Sequence, residues 1–208
     1  MLPGKDKIIQ CPACDHKFRQ QTIVSGNTLG AKIWTDGKQE APMMPEGIVL
    51  SFCNNCNNYF WVENAEVIEE LDPWDDTDSD IDYLQGLNLE QYIDAFGKIE
   101  MCSQDDTLFI LRKIWWKYND YYRKNNEAEL SKKIKDKMPD LLEKLLNNFD
   151  EDNDEHLMLK GELLRELGRF EAAEKTLNQV TSSKFLKAKE FILDLAKNEV
   201  SELKKLNI

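Results

Sequence analysis

Apolar positions change their spacing near residue 88. Between 8 and 62, Val, Ile, Thr and aromatic residues alternate with Gly, Asn and Asp, the pattern of short strands joined by turns. From about 88 the period becomes helical. Leu89, Tyr92, Ile93 and Phe96 mark one amphipathic helix, and Leu108, Leu111, Trp115, Tyr118 and Tyr122 mark a second. Ile110, Ile114 and Tyr121 widen the second apolar face, as in a helix packed on several sides. Ser103 followed by Asp106 predicts a capping box at its start. Further helices are predicted at 127–148, 154–168, 170–181 and 184–206, with DEDND at 150–154 separating two of them.

The strand region carries its own punctuation. Ala31–Thr35 reads as a strand that runs into Asp36-Gly37, a dipeptide that predicts a two-residue hairpin with positive φ at both turn positions. Pro42 and Pro45 break the regular structure before a strand resumes at Ile48–Phe52. Residues 63–71 read as a short helix, capped by Asn64 with Glu66 and Glu69 in its early turns. Six Asp between 72 and 82 then read as a solvated linker. The expected organisation is a β domain at 1–71, an acidic linker at 72–87 and an α-helical domain at 88–208.

Charge narrows the function classes. The net charge is −12. Residues 1–71 hold 6 basic and 9 acidic side chains, 72–126 hold 6 and 12, and 127–208 hold 15 and 18. No third is basic, which argues against nucleic acid and against an anionic membrane surface. No apolar run approaches the ~18 residues of a membrane span, and MLPGKDKIIQ lacks the apolar core of a signal peptide. A cytoplasmic location is therefore expected. Thiols stay reduced there, and paired Cys motifs more often hold metal than form disulfides.

That context gives weight to Cys11-Pro12-Ala13-Cys14 and Cys53-Asn54-Asn55-Cys56. Each pair is followed at the same offset by an aromatic ring, Phe18 and Phe60. Two residues between thiolates let a tight turn aim both sulfurs at one ion, and two such knuckles complete a tetrahedron. Asp15 and Asn57, just after each second Cys, tolerate the positive φ such turns require. Phe18 and Phe60 would pack beside the ion and keep it dry. The reading is one structural Zn²⁺ held by Cys11, Cys14, Cys53 and Cys56. Four sulfurs leave no open position for water or substrate. Iron in a rubredoxin-like site shares the ligand set. A redox dithiol pair and buried unliganded thiols are the other readings of the same residues.

The remaining candidates carry less. His16 and His156 read as surface residues, and Cys102, with no Cys-x2-Cys mate, as a small core or helix-end residue. Asp78, Asp80 and Asp82 alternate as in an EF-hand loop, but Tyr83 and Leu89 stand where Gly and Glu are required. The run from Asp150 fails in the same way at Glu155 and Gly161. Lys132, Lys133, Lys135 and Lys137 read as a solvated helix face. No phosphate-cradling Gly loop or nucleophile elbow is present. Segment 25–47 reads either as a packed excursion between knuckles or as a binding surface.

CPACDHKF and CNNCNNYF resemble the zinc ribbon. Together with SGNTLGAKIWTDGKQEAPMMPEG, FWVENAEVI and ILRKIWWKYND, the chain resembles an uncharacterised group of bacterial proteins that join such a ribbon to a helical tail. That resemblance spans most of 11–123 and brings no established activity with it. Gly161, Leu164, Gly168, Phe170, Ala173, Leu177 and Val180 resemble a tetratricopeptide helix pair, although Lys160 departs from the apolar residue expected there. The fold class expected is α+β: a small antiparallel zinc ribbon followed by a tetratricopeptide-like bundle. The expected function is non-enzymatic protein–protein interaction through an unidentified protein partner, with the oligomeric state open. A nucleic-acid-associated ribbon and a thiol redox protein are the alternatives. The aromatic helix reads in two ways: Trp115, Trp116, Tyr118, Tyr121 and Tyr122 all complete the core, or Trp116 or Tyr121 points outward as a partner anchor.

Overall fold

The computed structural model describes residues 1–74, 80–101 and 103–206. Asp78, part of the acidic stretch and Cys102 lie outside the described residues. Antiparallel strands precede six α-helices among the described residues, so the α+β class holds. The strands are β1 (Leu2–Pro3), β2 (Asp6–Gln10), β3 (Lys17–Gln20), β4 (Ile23–Ser25), β5 (Lys32–Trp34), β6 (Gln39–Glu40), β7 (Leu50–Cys53), β8 (Asn58–Trp61), β9 (Glu66–Leu71) and β10 (Lys205–Leu206). The helices are α1 (Leu89–Lys98), α2 (Gln104–Arg123), α3 (Lys132–Asn148), α4 (Asp154–Glu166), α5 (Phe170–Gln179) and α6 (Leu186–Lys197). The chain forms two compact units. One comprises Met1–Ala31 and Ala41–Glu100; the other comprises Lys32–Glu40 and Met101–Ile208. The expected boundaries at 71 and 88 do not coincide with these units.

In the first unit β2 is central. It pairs antiparallel with β3 on one edge, Ile9 opposite Phe18, and with β9 on the other, Ile9 opposite Val67. The helix predicted at 63–71 is instead a 3₁₀ turn at Val62–Asn64 followed by β9. Cap and charge signals in this stretch are local, whereas the open edge of β2 is a tertiary demand that only a strand meets. β7 and β8 make a second hairpin, with Leu50 opposite Trp61, and β1 pairs with β4.

Asp6 and Arg19 form a buried ion pair at 2.7 Å. The outer edge of β3 is covered by residues 82–84: Arg19 N donates to Asp82 O and Leu84 N to Arg19 O, each at 2.9 Å. Leu84 and Leu87 are buried, so this end of the acidic stretch is packed structure rather than free linker. The capping box formed by Asn88 and Gln91 starts α1, which buries Leu89, Tyr92 and Ala95.

The second unit begins with α2 and its capping box of Ser103 and Asp106, as the sequence predicts. α4 ends in a Schellman motif. Gly168 takes φ 73°, its N–H donates to Arg165 O, and Arg169 N donates to Leu164 O, both at 2.9 Å. Gly161 lets α5 approach, since a Cβ there would lie 2.5 Å from Leu177 Cγ. The residues at tetratricopeptide offsets thus build a closely packed helix pair; a repeat of that pair is not seen among the described residues. The helix predicted at 184–206 ends at Lys197. Glu199 takes φ 54°, and the chain then extends as β10, pairing Lys205 with Trp34 and Leu206 with Ile33.

That pairing belongs to the part of segment 25–47 that folds with the helices. β5 and β6 form a hairpin in the second unit, closed by Trp34 N to Lys38 O and Gly37 N to Trp34 O, each at 2.9 Å. Only Gly37 of the Asp-Gly pair has positive φ, at 77°. The turn is therefore a three-residue loop ending in a left-handed glycine, not the two-residue turn the dipeptide predicts.

Asp36 has another task. It is fully buried, pairs with Arg123, and accepts from Asn119 Nδ2 at 3.0 Å and Lys38 N at 3.1 Å. Trp116 Nε1 donates to Asp36 O at 2.9 Å. Trp116 is thus tied to the hairpin rather than presented outward, Tyr121 is half-buried, and Tyr122 is the exposed ring of this helix at 42%.

Candidate metal centre

Each knuckle is the turn of a hairpin, the first between β2 and β3 and the second between β7 and β8. In the first, Cys14 N and Asp15 N both donate to Cys11 O, at 3.3 and 3.0 Å. In the second, Asn57 N donates to Cys53 O at 2.8 Å. Asp15 and Asn57 take φ 58° and 57°, the left-handed conformation expected of both. Asp and Asn bear that conformation at lower cost than most residues with a Cβ.

The four sulfurs of Cys11, Cys14, Cys53 and Cys56 lie within 4.8 Å of one another. Cys11 Sγ is 3.7 Å from Cys56 Sγ, and Cys14 Sγ is 3.6 Å from Cys53 Sγ. A tetrahedron with metal–sulfur bonds of about 2.3 Å has edges of about 3.8 Å. A disulfide needs sulfurs at about 2.05 Å, and all four thiols are free. The cluster could hold a metal ion, and two of its sulfur–sulfur distances already match a tetrahedral edge.

The surroundings match a closed site. Cys11 and Cys53 are fully buried, while Cys14 and Cys56 are half-buried. Phe18 and Phe60 pack in the same apolar cluster, with ring centroids 5.9 Å apart, alongside Ile9 and Leu84. Asn55 Nδ2 donates to Cys14 Sγ at 3.4 Å, the type of outer hydrogen bond that stabilises a thiolate.

Without an ion the cluster is electrostatically uneven. Burial pushes the Cys11 thiol up to about 12 and raises that of Cys53. The Asn55 hydrogen bond draws Cys14 down to about 6. A divalent cation removes this conflict by favouring the thiolate at every position, and its uptake releases the protons held by the buried pair.

The other candidates fall outside this site. His16 stacks edge-on against Phe18 at 5.0 Å and faces Asp82 at 3.8 Å. His156 Nδ1 accepts from Asp150 N at 3.1 Å, closing the turn before α4. Lys132, Lys133, Lys135 and Lys137 are all exposed. Among the described residues no helix is long and apolar enough to cross a membrane. No protein-family model matches the chain, and no curated protein or solved structure matches it.

Proposed function

We propose that the chain is a non-enzymatic, zinc-stabilised protein-interaction module of the cytoplasm. The observation that carries this reading is the sulfur geometry: two hairpin turns bring four thiols within 4.8 Å of one another, with two distances between the turns, 3.6 and 3.7 Å, close to a tetrahedral edge. Zinc is favoured over harder divalent ions because thiolates are soft ligands. Four protein sulfurs close the coordination sphere, so the ion stabilises the fold and offers no site for chemistry. The first unit is then a zinc ribbon extended by β9 and α1. The α4–α5 pair supplies a tetratricopeptide-like element in the second.

Support for the partner comes from exposed apolar side chains in the first unit. Leu2, Ile23 and Val24 on the β1–β4 ribbon are 56, 39 and 69% exposed, and Leu29 beyond it is 79% exposed. Large contiguous patches of exposed apolar groups mark interaction sites. Val24→Asp with Leu29→Asp, two exposed sites, should leave the melting temperature within about 2 °C. The double substitution should also abolish recovery of a protein that the unaltered chain retains from its native cell. Retention of the same protein by the variant would place the docking surface elsewhere. A salt-sensitive complex with nucleic acid would favour the nucleic-acid ribbon instead, and metal-free protein with Cys11 or Cys14 in disulfides would favour the redox reading.

A further inference from the structure

The second unit holds a half-open cavity of about 670 Å³, within the range of small-molecule sites. Its aromatic walls are Trp34, Tyr118 and Tyr122. Met138, Leu142 and Leu203 supply apolar surface.

Its lining carries three carboxyls. Glu127, Glu166 and Glu202 line it, and none makes an ion pair with a described residue. Glu127 and Glu202 are exposed at the rim. Glu166, half-buried, accepts only neutral donors: Trp115 Nε1 at 2.7 Å, and Asn119 Nδ2 at 3.1 and 3.2 Å. Burial, reinforced by Glu162 and Asp36, holds its carboxyl well above the usual range.

Two cations reach the same cavity. Arg123 is already balanced by Asp36 and Asp120 and lies over the Trp34 ring at 5.4 Å. Its side chain is only 2% exposed, yet its Nε has no acceptor. Lys135 is exposed at the mouth. A carboxyl with no direct ion-pair partner, beside aromatic ring faces that attract a cation, suits an organic cation better than an anion; Arg165, which acts on it electrostatically, is itself paired with Glu162.

We propose that this cavity binds a primary alkylammonium group, its head at Glu166 among the tyrosine rings and its aliphatic stem against Met138 and Leu142. The same chemistry is offered by a free alkylamine and by a lysine side chain. The proposal rests on the helical unit alone and stands independently of the metal centre.

Calorimetry or NMR titration of the full chain with 1,5-diaminopentane and with Nα-acetyl-lysine amide tests it, with pentanol and Nα-acetyl-norleucine amide as neutral matches. At least one amine should bind and its neutral match should bind at least about tenfold more weakly, the scale of one charge-assisted hydrogen bond. Preference for the lysine amide identifies a lysyl source, and preference for the diamine a free amine. Glu166→Gln keeps the shape, should melt no lower than the unaltered chain, and should lose binding by a similar factor. Tyr122→Leu, at a ring 42% exposed, should also weaken binding without unfolding. No binding of either amine, equal binding of the neutral matches, or full binding by both variants would overturn the assignment.

Discussion

Asp36→Ala should destabilise the helical unit by about 2–3 kcal/mol, the cost of removing one of the two carboxylates that hold a buried guanidinium, with Asp120 remaining as the other. Arg123 is the residue left behind, with a side chain 2% exposed. Asn119 Nδ2 and Lys38 N would also lose an acceptor. Part of the hairpin would remain, because Trp116 bonds to the backbone carbonyl at 36 rather than to the carboxylate. Asp36→Asn keeps the shape and removes the charge, so its loss should be smaller than that of Asp36→Ala yet still measurable. Chemical denaturation followed by hydrogen exchange on α2 reads both. A loss under about 1 kcal/mol for Asp36→Ala would mean that the hairpin contributes little, since surface substitutions fall within about half that figure.

Cys53→Ser should abolish the first unit while sparing the second. Structural zinc contributes about 10–16 kcal/mol in small Cys-rich modules, well beyond what a core of Ile8, Ile9, Phe18, Leu50, Phe60 and Leu84 supplies in a unit of this size. The serine oxygen is a poor replacement for a buried thiolate that already sits at a sulfur–sulfur contact of 3.6 Å. Loss should extend through α1, which folds with the ribbon, and stop before α2. Residues 32–40 should stay protected, although they lie between the two knuckles in sequence, because they fold with the helices. Hydrogen exchange resolved by peptide separates these cases. Exposure of 32–40 together with 1–31 would contradict the division into units. Parallel loss of α2 to α6 would show that the whole chain unfolds as one.

What was legible in the sequence was local. The doubled Cys-x2-Cys-x3-Phe spacing announced both knuckles, and Asp15 and Asn57 announced their left-handed turns. Ser103 and Asp106 marked the start of α2. Each signal spans a few residues and is read by the backbone within one turn. The features that escaped depend on distant partners. β9 exists because β2 has a second edge, and nothing within Glu66–Leu71 states that. β10 exists because β5 lies open at the far end of the chain. The Asp-Gly dipeptide gave the hairpin but not the destination of Asp36. Charged residues are seldom fully buried unless paired, and the partner, Arg123, stands 87 positions away. The aromatic helix shows the same limit. Period alone could not tell that Trp116 would donate to the backbone 80 positions earlier, leaving Tyr122 as the exposed ring. The cavity carboxyl at Glu166 gives no sequence signal, since its character comes from burial and from its donors Trp115 and Asn119, 51 and 47 positions away.

The central claim is that one zinc ion joins Cys11, Cys14, Cys53 and Cys56. The most direct measurement is X-ray absorption at the zinc edge on protein purified without added metal, with elemental analysis of the same sample. The account predicts about one equivalent of zinc per chain, surrounded by four sulfurs at about 2.3 Å and no nitrogen or oxygen. Folded protein that carries no metal, or zinc with an oxygen or nitrogen in its first shell, would contradict it.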